Sequence, residues 1–594
     1  MKIKYSDYLC ELLKELGYTK CFYVAGGNIM HLLESASKVF ECVPFIHEVA
    51  AGIAAEYHNE AIVNENERAF VLVTAGPGLT NLITAISGSF LESRDLLVLG
   101  GQVKTTDLKE VNMRQRGIQE IDGVSIVKSI TKKAIRIESP MTQGLIRELV
   151  VQGLTRRKGP VFLEVCLDVQ GFLSDSYLQP SLIENAQVPQ GEFVELERNL
   201  TKIHSLFSQS KRPILLLGGE ISRSVAQSLE EQMALCKIPI MTTWNAADRV
   251  PYGQLNFFGR PDTWGMRYSN ILLQQSDLIL AIGARLSLQQ TGFNYREFAP
   301  RGKIVHIYSD SSEFKKNLQN VAMEIPGTAD LYLAEILKLL SLQNSDWLDW
   351  LGFCQSVKAK LPLSEECNER HEGFWNPYDF YLELSDLLKS GESLIPSSSG
   401  GAETVAMQAF QQNKGVRVIT SSSLASMGYG LAGAAGTSIL TKKKVCLVEG
   451  DGGFAQNLQE LGTVERQSLN LKIFLFCNEG YASIRMTQRN YFGGKYIGCD
   501  RGTGLGLPDW GLLFEAYQIK WMALKPGESL ERQMNNMWSD TTPAAFLVPI
   551  HPEQTYFPKI SSRVLENGAM ESNPLHCMTP ELDMSTKMDV IKYL

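Results

Sequence analysis

Short apolar runs alternate with longer segments of helical periodicity along almost the whole chain of 594 residues. Such short runs are typical of buried strands in parallel sheets, because helices cover both faces of such a sheet. Their alternation with helical segments predicts βαβ units. The predicted strands lie near residues 22–24, 70–73, 96–99 and 161–165, then 214–217, 238–241, 278–282 and 304–308, and finally 416–419, 445–448, 473–476 and 545–548.

The predicted strands form three groups, which polar stretches separate. A polar stretch at 174–190 is predicted to be a linker, and a charged helical stretch at 346–372 joins the second group to the third. We therefore predict an α/β protein with three parallel-sheet domains. The predicted bounds are 1–172, 195–343 and 374–551 for the domains and 552–594 for a tail that is irregular until its last ten residues.

Composition and charge narrow the classes of partner. With a net charge of −8 and no basic run, the chain is not expected to bind nucleic acid or an anionic membrane. The 11 cysteines are scattered and form no C-x-x-C pair, which argues against a zinc site and a disulfide framework. The sequence has no stretch of about 18 apolar residues and no apolar signal core, so we expect a soluble, cytoplasmic protein.

Two neighbouring predicted strands end in residues that suit a magnesium–diphosphate site. Gly450-Asp451-Gly452 follows the strand at 445–448, while Asn478 and Gly480 follow the strand at 473–476. Mg²⁺ prefers about six oxygen ligands and readily shares them with phosphates, so the Asp451 carboxylate, the Asn478 amide and the Gly480 carbonyl are the predicted protein ligands. The glycines let backbone N–H groups approach phosphates at a helix start. Taken alone, the segment is also compatible with an ordinary tight turn between a strand and a helix.

Three further segments accompany this motif, at residues 47–56, 75–81 and 426–430. In the first of them, Glu48 opens a helix of small residues. Together the four segments resemble the signature of thiamine-diphosphate (ThDP) enzymes of the acetolactate synthase type, over about residues 1–555. The family usually has Asn-Asn at the end of the second strand, where this chain has Cys477-Asn478.

The resemblance implies a pyrimidine-binding domain, a central flavin-type domain and a diphosphate-binding domain, in this order. It implies that Glu48 is a largely buried catalytic carboxylate, and that Gln119 and the loop at Gly26-Gly27 orient the substrate. The implied ThDP contacts are Gly76, Pro77, Asn81, Met427, Gly428, Gly450, Gly452, Gly453, Tyr481 and Ala482. Taken one by one, Glu48 is also compatible with a surface residue at a helix start, and Met427 with ordinary core filling.

The resemblance also implies how chains assemble. In this family the catalytic glutamate of one chain meets the diphosphate domain of another. A homodimer or homotetramer with active sites at the interface is therefore implied.

The middle domain resembles the flavin-holding domain of acetolactate synthases. Gly283-Ala284-Arg285-Leu286 follows a predicted strand, and Arg285 is expected to bind the pyrophosphate of FAD by charge-assisted hydrogen bonds. The alternative is a domain that keeps the fold and has lost the flavin.

The implied activity is that of a ThDP- and Mg²⁺-dependent carboligase. Such an enzyme decarboxylates a 2-oxo acid, here pyruvate, and transfers the two-carbon unit to a carbonyl acceptor. This chain departs from biosynthetic acetolactate synthases at Thr487, where they carry Trp, and at Ala402-Glu403, where they carry Gln-His. We expect Arg485 and Arg489 to meet anionic groups of a larger acceptor, such as a nucleotide-linked keto-sugar. The alternative for both arginines is a surface ion pair.

Two other functions stay open from the sequence. The first is an acetolactate synthase that joins two pyruvates. The second is a non-catalytic ThDP- and FAD-binding subunit, against which the intact Glu48, Asp451 and Asn478 argue.

Overall fold

The computed structural model describes residues 2–63, 66–174, 190–316, 318–342, 347–564, 568 and 570–594. The predicted linker at 174–190 therefore lies almost wholly outside the described residues. The chain forms three parallel sheets, which confirms the predicted fold class. The first sheet has six strands, in the spatial order Glu41–Pro44, Tyr18–Tyr23, Arg68–Val73, Leu96–Gln102, Pro160–Cys166 and Lys133–Ile137. Its helices are Tyr5–Glu15, Met30–Val39, Glu48–Glu60, Pro77–Glu92, Gly123–Val127, Gln143–Leu154 and Leu167–Gln170.

The second sheet has five strands and lies in the middle of the chain. Its spatial order is Ile240–Thr242, Pro213–Leu217, Leu278–Ile282, Lys303–Tyr308 and Val321–Pro326. The accompanying helices are Gln190–Gln209, Arg223–Ser228, Glu230–Leu235, Arg267–Gln275, Leu288–Thr291, Ala329–Ser341 and Leu348–Lys360.

The third sheet has six strands, and its strand order repeats that of the first sheet. The spatial order is Arg417–Val418, Ser393–Ile395, Val445–Gly450, Leu471–Cys477, Ala544–Pro549 and Lys520–Ala523. Its helices are Pro377–Leu387, Gly400–Ala409, Tyr429–Thr441, Asp451–Phe454, Leu461–Arg466, Ala482–Tyr491, Trp510–Ala516 and Leu530–Ser539. In both sheets the strand that comes first in the sequence lies between the second and the third strands. Loops that follow corresponding strands therefore emerge at corresponding positions along the carboxyl edge of each sheet.

The tail after the third sheet carries little regular structure until its end. Lys559–Ile560 pairs with Met578–Thr579, and Ser562–Val564 pairs with Met570–Ser572, both antiparallel. A short helix, Met584–Val590, follows. In the part of the chain that the structure describes, no helix is long and apolar enough to cross a membrane.

Each predicted strand overlaps an observed strand, but five strands of the three parallel sheets were not predicted. Four of them are edge strands: Glu41–Pro44, Lys133–Ile137, Val321–Pro326 and Lys520–Ala523. Edge strands are partly exposed, so they lack the continuous apolar run that marks a buried strand. The fifth, Ser393–Ile395, is interior but only three residues long.

The first and third domains meet through two helices of small residues, Glu48–Glu60 and Tyr429–Thr441. A Cβ on Gly436 would lie 2.0 Å from the Ala54 carbonyl oxygen, so glycine permits this close approach. The packing places the start of the Glu48 helix beside the diphosphate-type domain.

Candidate active site

The predicted metal-binding residues lie together at the carboxyl edge of the third sheet. The strands Val445–Gly450 and Leu471–Cys477 are parallel neighbours, so the residues that follow them emerge side by side. Asp451 is 2% exposed. Its Oδ2 accepts from the Glu479 N–H at 2.9 Å, and its Oδ1 accepts from the Gly480 N–H at 3.0 Å. Burial raises the pKa of Asp451 to about 6.

The geometry of this loop fits a magnesium ion. One terminal atom of the Asn478 amide lies 3.0 Å from Asp451 Oδ1 and 3.0 Å from the Gly480 carbonyl oxygen. With the amide nitrogen at this position Asn478 donates to both oxygens, and with the amide oxygen there an oxygen atom of each of the three residues faces the same point. Adjacent ligands of an octahedral Mg²⁺ lie about 2.9 Å apart, because each sits about 2.0–2.1 Å from the ion. The spacing therefore suits Mg²⁺ when the amide oxygen faces the loop.

The predicted diphosphate contacts surround this loop. Gly450 directly precedes the short helix Asp451–Phe454. Gly453 lies in that helix, and a Cβ on it would lie 3.2 Å from Glu449 Oε1. A Cβ on Gly452 would lie 2.5 Å from the Tyr481 ring, so glycine is required for this contact. The remaining predicted contacts on this side are Tyr481 and Ala482, at the start of the helix Ala482–Tyr491.

The segment of Met427 and Gly428 leads into the small-residue helix Tyr429–Thr441. Met427 is 37% exposed, so its side chain is accessible rather than filling the core. Gly428 has a φ of 83°, and its carbonyl accepts from Asn457 Nδ2 at 2.7 Å. The accessible side chain agrees with the expected contact to a cofactor, which stays a prediction.

Glu48 is the first residue of its helix, and its side chain is 12% exposed. Its Oε2 accepts from Asn81 Nδ2 at 3.0 Å. Asn81 lies on the helix Pro77–Glu92, which Pro77 opens directly after Gly76. The structure thus brings two of the predicted site residues, Glu48 and Asn81, into direct contact.

Two other predicted loops of the first domain approach residues 74–76, which precede the helix of Asn81. Gly76 has a φ of 64°, and a Cβ there would lie 2.5 Å from the Gln119 carbonyl oxygen. Gln119 itself has a φ of 63°. A Cβ on Gly26 would meet Thr74 at 2.4 Å, whereas a Cβ on Gly27 would meet nothing within 4 Å. The backbone at Gly27 is therefore open to an approaching molecule.

Glu460 links the third domain to the loop before Glu48, and the sequence patterns did not single it out. Its carboxylate accepts from the N–H groups of His47 at 3.0 Å and Ile46 at 3.4 Å, and from Thr463 Oγ1 at 2.6 Å. Burial raises its pKa. The signal was not recognisable in advance, because Glu460 lies in a polar helical stretch where a solvent-exposed residue is the default interpretation. In the structure this stretch is divided between the short helices Asp451–Phe454 and Leu461–Arg466.

Glu403 is another buried carboxyl group of the third domain. It lies on the helix Gly400–Ala409 and is 4% exposed. Burial, with smaller contributions from Glu92 and Asp262, raises its pKa to about 8. Its Oε1 lies 2.6 Å from Thr420 Oγ1. We therefore expect Glu403 to be protonated at neutral pH.

A cavity of about 880 Å³ opens at the carboxyl ends of the central strands. This edge is where open α/β sheets bind ligands, and the volume lies in the range of ligand pockets. Residues of all three domains line it, including Glu220, Arg285 and Ser309 from the central domain.

Arg285 lines the cavity but also joins the domains. Its guanidinium donates to the carbonyl oxygen of Leu91 and to the hydroxyl of Ser423. A carboxylate oxygen of Glu92 lies 3.8 Å from it. Its expected contact with a pyrophosphate stays a prediction.

The arginines on the helix Ala482–Tyr491 differ from the expectation. The expectation that Arg485 meets a substrate anion is wrong, because Arg485 is 4% exposed and its guanidinium donates to three backbone carbonyls. Arg489 lies 3.7 Å from a carboxylate oxygen of Glu553, as in the surface ion-pair alternative. Thr487 is exposed, and its hydroxyl donates to the Ser483 carbonyl at 3.0 Å.

Comparison with known families matches all three domains. The N-terminal TPP-binding domain of thiamine pyrophosphate enzymes matches residues 3–126, their central domain matches 200–336, and their C-terminal TPP-binding domain matches 398–548.

Individual relatives are similar over most of their length. Acetolactate synthase 2, chloroplastic, of Nicotiana tabacum is 30% identical over 490 residues, which cover 80% of this chain and 71% of the relative. The large subunit of acetolactate synthase isozyme 1 of Escherichia coli K12 is 25% identical over 82% of this chain and 84% of the relative. The large subunit of acetolactate synthase isozyme 2 of the same organism is 25% identical over 93% of this chain and 97% of the relative. The chain therefore belongs to the thiamine-diphosphate-dependent enzymes, in the branch that resembles acetolactate synthase.

Proposed function

We propose that this protein is a Mg²⁺- and ThDP-dependent carboligase that decarboxylates pyruvate and transfers the two-carbon unit to a carbonyl acceptor. The observation that carries the proposal is the meeting of Asp451, Asn478 and Gly480, whose polar atoms lie 3.0 Å apart at the edge of a parallel sheet. A cation there would be held by one charged and two neutral protein ligands, and a diphosphate would complete its shell.

The protein's own groups suit the steps of such a reaction. When bound, ThDP supplies a carbon nucleophile and a sink for the electrons that decarboxylation releases. Glu48 is the group that would exchange a proton with the cofactor, and Asn81 holds one of its oxygens in place. Gln119 and the open backbone at Gly27 lie on the same edge and would orient the substrate carbonyl.

The test is pyruvate-dependent release of CO₂ that requires both ThDP and Mg²⁺. Glu48→Gln should keep the fold and ThDP binding but lower turnover about 10²–10⁴-fold, the usual contribution of general acid–base catalysis. A loss smaller than about tenfold would contradict the role of Glu48. Binding of ThDP without any turnover in the wild type would support the non-catalytic alternative instead.

We also propose that the central cavity holds FAD and that the active assembly is a homodimer or homotetramer. A ligand-sized cavity at the carboxyl edge of a doubly wound sheet, with Arg285 in its wall, supports the flavin. Purified protein should be yellow and should release FAD when it is denatured. An active protein that is colourless and takes up no FAD would refute the flavin proposal. Sedimentation velocity of the holoenzyme tests the assembly, and a monomer with full activity would refute it.

For the acceptor, we propose a ketone larger than pyruvate, with nucleotide-linked keto-sugars as the class to test first. The exposed Thr487 leaves more room than the Trp of biosynthetic enzymes, and this supports the proposal. The competing acceptor is a second pyruvate, as the names of the relatives suggest. Mass spectrometry of products from pyruvate, with and without a panel of keto-sugars, distinguishes the two.

A further inference from the structure

A buried arginine lies directly beneath the loop that carries Asn478 and Gly480. The guanidinium of Arg485 donates to the carbonyl oxygens of Asn478 at 3.1 Å and Glu479 at 3.0 Å. It also donates to the carbonyl of Pro552 at 2.8 Å, and its Nε lies 3.5 Å from Asp500 Oδ2. The side chain is only 5% exposed. Three of the guanidinium's hydrogen bonds therefore go to backbone carbonyls, two in the loop and one in the segment that follows the strand Ala544–Pro549.

The loop needs such support because its backbone is unusual. Glu479 has a φ of 66° and Gly480 a φ of 121°, so the chain turns sharply between two candidate metal ligands. The turn directs the carbonyls of Asn478 and Glu479 to one side, where their partial negative charges repel each other. A guanidinium, with five N–H donors in a rigid plane, can satisfy several such carbonyls at once.

Stabilisation of its own helix does not explain the position of Arg485. It lies in the first turns of the helix Ala482–Tyr491, where the helix dipole disfavours a cation. The carbonyls it binds belong to residues before the helix and to Pro552, not to the helix itself.

The tail supports the same loop from another direction. Tyr556 is 3% exposed, and the nearby Asn478 side chain opposes the rise that burial causes in the pKa of its hydroxyl. Its ring fills the space beside Gly401, where a Cβ would approach it to 2.3 Å. The loop is therefore held between Arg485 and Tyr556.

We propose that Arg485 is a positioning residue that sets the affinity of the loop for Mg²⁺. It fixes the backbone of residues 478–480 so that the Asn478 amide and the Gly480 carbonyl face Asp451. It does not touch the substrate. This inference rests on the proposed function, because it assumes that Mg²⁺ binds at this loop.

The test compares two arginines of the same helix. Arg485→Met removes the donors and keeps an unbranched side chain. Arg489→Met is the matched control, since Arg489 is partly exposed and its contacts are with Glu553, outside the loop at 478–480. Mg²⁺ is titrated into ThDP-saturated protein and followed by calorimetry, and Mn²⁺ in place of Mg²⁺ gives an independent spectroscopic readout of the bound ion. We expect Arg485→Met to weaken Mg²⁺ binding about 10–100-fold, the usual effect of removing a partner behind a metal ligand. Arg489→Met should bind like the wild type.

A conservative variant separates positioning from general destabilisation. Arg485→Lys keeps the charge but has three donors instead of five, so it should recover part of the affinity. If Arg485→Met does not fold, Arg485→Lys carries the test, and its Mg²⁺ affinity should still lie below that of the wild type. Equal Mg²⁺ affinity in the wild type and in a folded Arg485 variant would overturn the inference and leave the proposed function standing. Absence of Mg²⁺ binding in the wild type would overturn the proposed function together with it.

Discussion

Replacing Glu403 with Gln should stabilise the cofactor-free protein increasingly, relative to the wild type, as the pH rises. The Thr420 hydroxyl lies 2.6 Å from Glu403 and 2.9 Å from the Ser397 carbonyl oxygen, and it has only one proton to donate. A protonated Glu403 donates to Thr420, which then donates to Ser397, so all three groups are satisfied. The amide of Gln keeps this arrangement, because it is also a donor, and removes only the titration.

The magnitude follows from the shift in pKa. The pKa of Glu403 rises from 4.5 to about 8 on folding, chiefly through burial. The folded protein binds the proton more tightly than the unfolded chain, so this contribution to stability is complete below pH 4.5 and is lost as the pH rises through about 8. Each pH unit in this window corresponds to about 1.4 kcal/mol. Between about pH 5.5 and about pH 7.5 the wild type should lose about 3 kcal/mol that Glu403→Gln does not lose.

The assay is thermal unfolding of both proteins at the two pH values, without cofactors. A domain of about 150–250 residues shifts its midpoint by roughly 2–4 °C per kcal/mol, so the difference between variant and wild type should grow by several degrees. Buried carboxyl groups that do not interact with Glu403, such as Glu220, titrate alike in both proteins and cancel. Glu366→Gln, at an exposed position, is the control and should show no such trend. A difference between Glu403→Gln and the wild type that does not change with pH would refute the reasoning.

Three further predictions concern the site. Asp451→Ala removes the one charged residue of the proposed ligand set, so it should weaken Mg²⁺–ThDP binding in a calorimetric titration, with partial recovery of activity at high cofactor concentrations. Unchanged affinity would contradict the metal role. Glu460→Ala should lower turnover about tenfold or more while Mg²⁺–ThDP affinity stays unchanged, because it releases the loop before Glu48; full activity would rule out this positioning role. Thr487→Trp should favour acetolactate formation from pyruvate over addition to larger ketones, as measured by product ratios; an unaltered ratio would mean that residue 487 does not face the acceptor.

Much of the architecture could be predicted from the sequence because interior strands and cofactor loops are local signals. A buried parallel strand is an apolar run, and every predicted strand overlaps an observed one. Asp451 and Asn478 could be placed together because neighbouring parallel strands end at the same edge. Four of the six edge strands of the parallel sheets could not be recognised, since they are partly exposed and their apolar runs are interrupted.

The roles of Arg485, Glu403 and Glu460 were decided only by the tertiary structure. In the sequence, Arg485 is a cation on an amphipathic helix, for which a surface position is the default. In the fold, its guanidinium donates to the carbonyls of Asn478 and Pro552. Pro552 is 67 residues away from Arg485 in the sequence. A charged side chain can be buried only where distant segments supply its partners, and those partners are specified by packing rather than by sequence spacing. The sequence by itself therefore determined the family of the fold and the residues of its motifs, whereas the tertiary structure decided which charged groups support them.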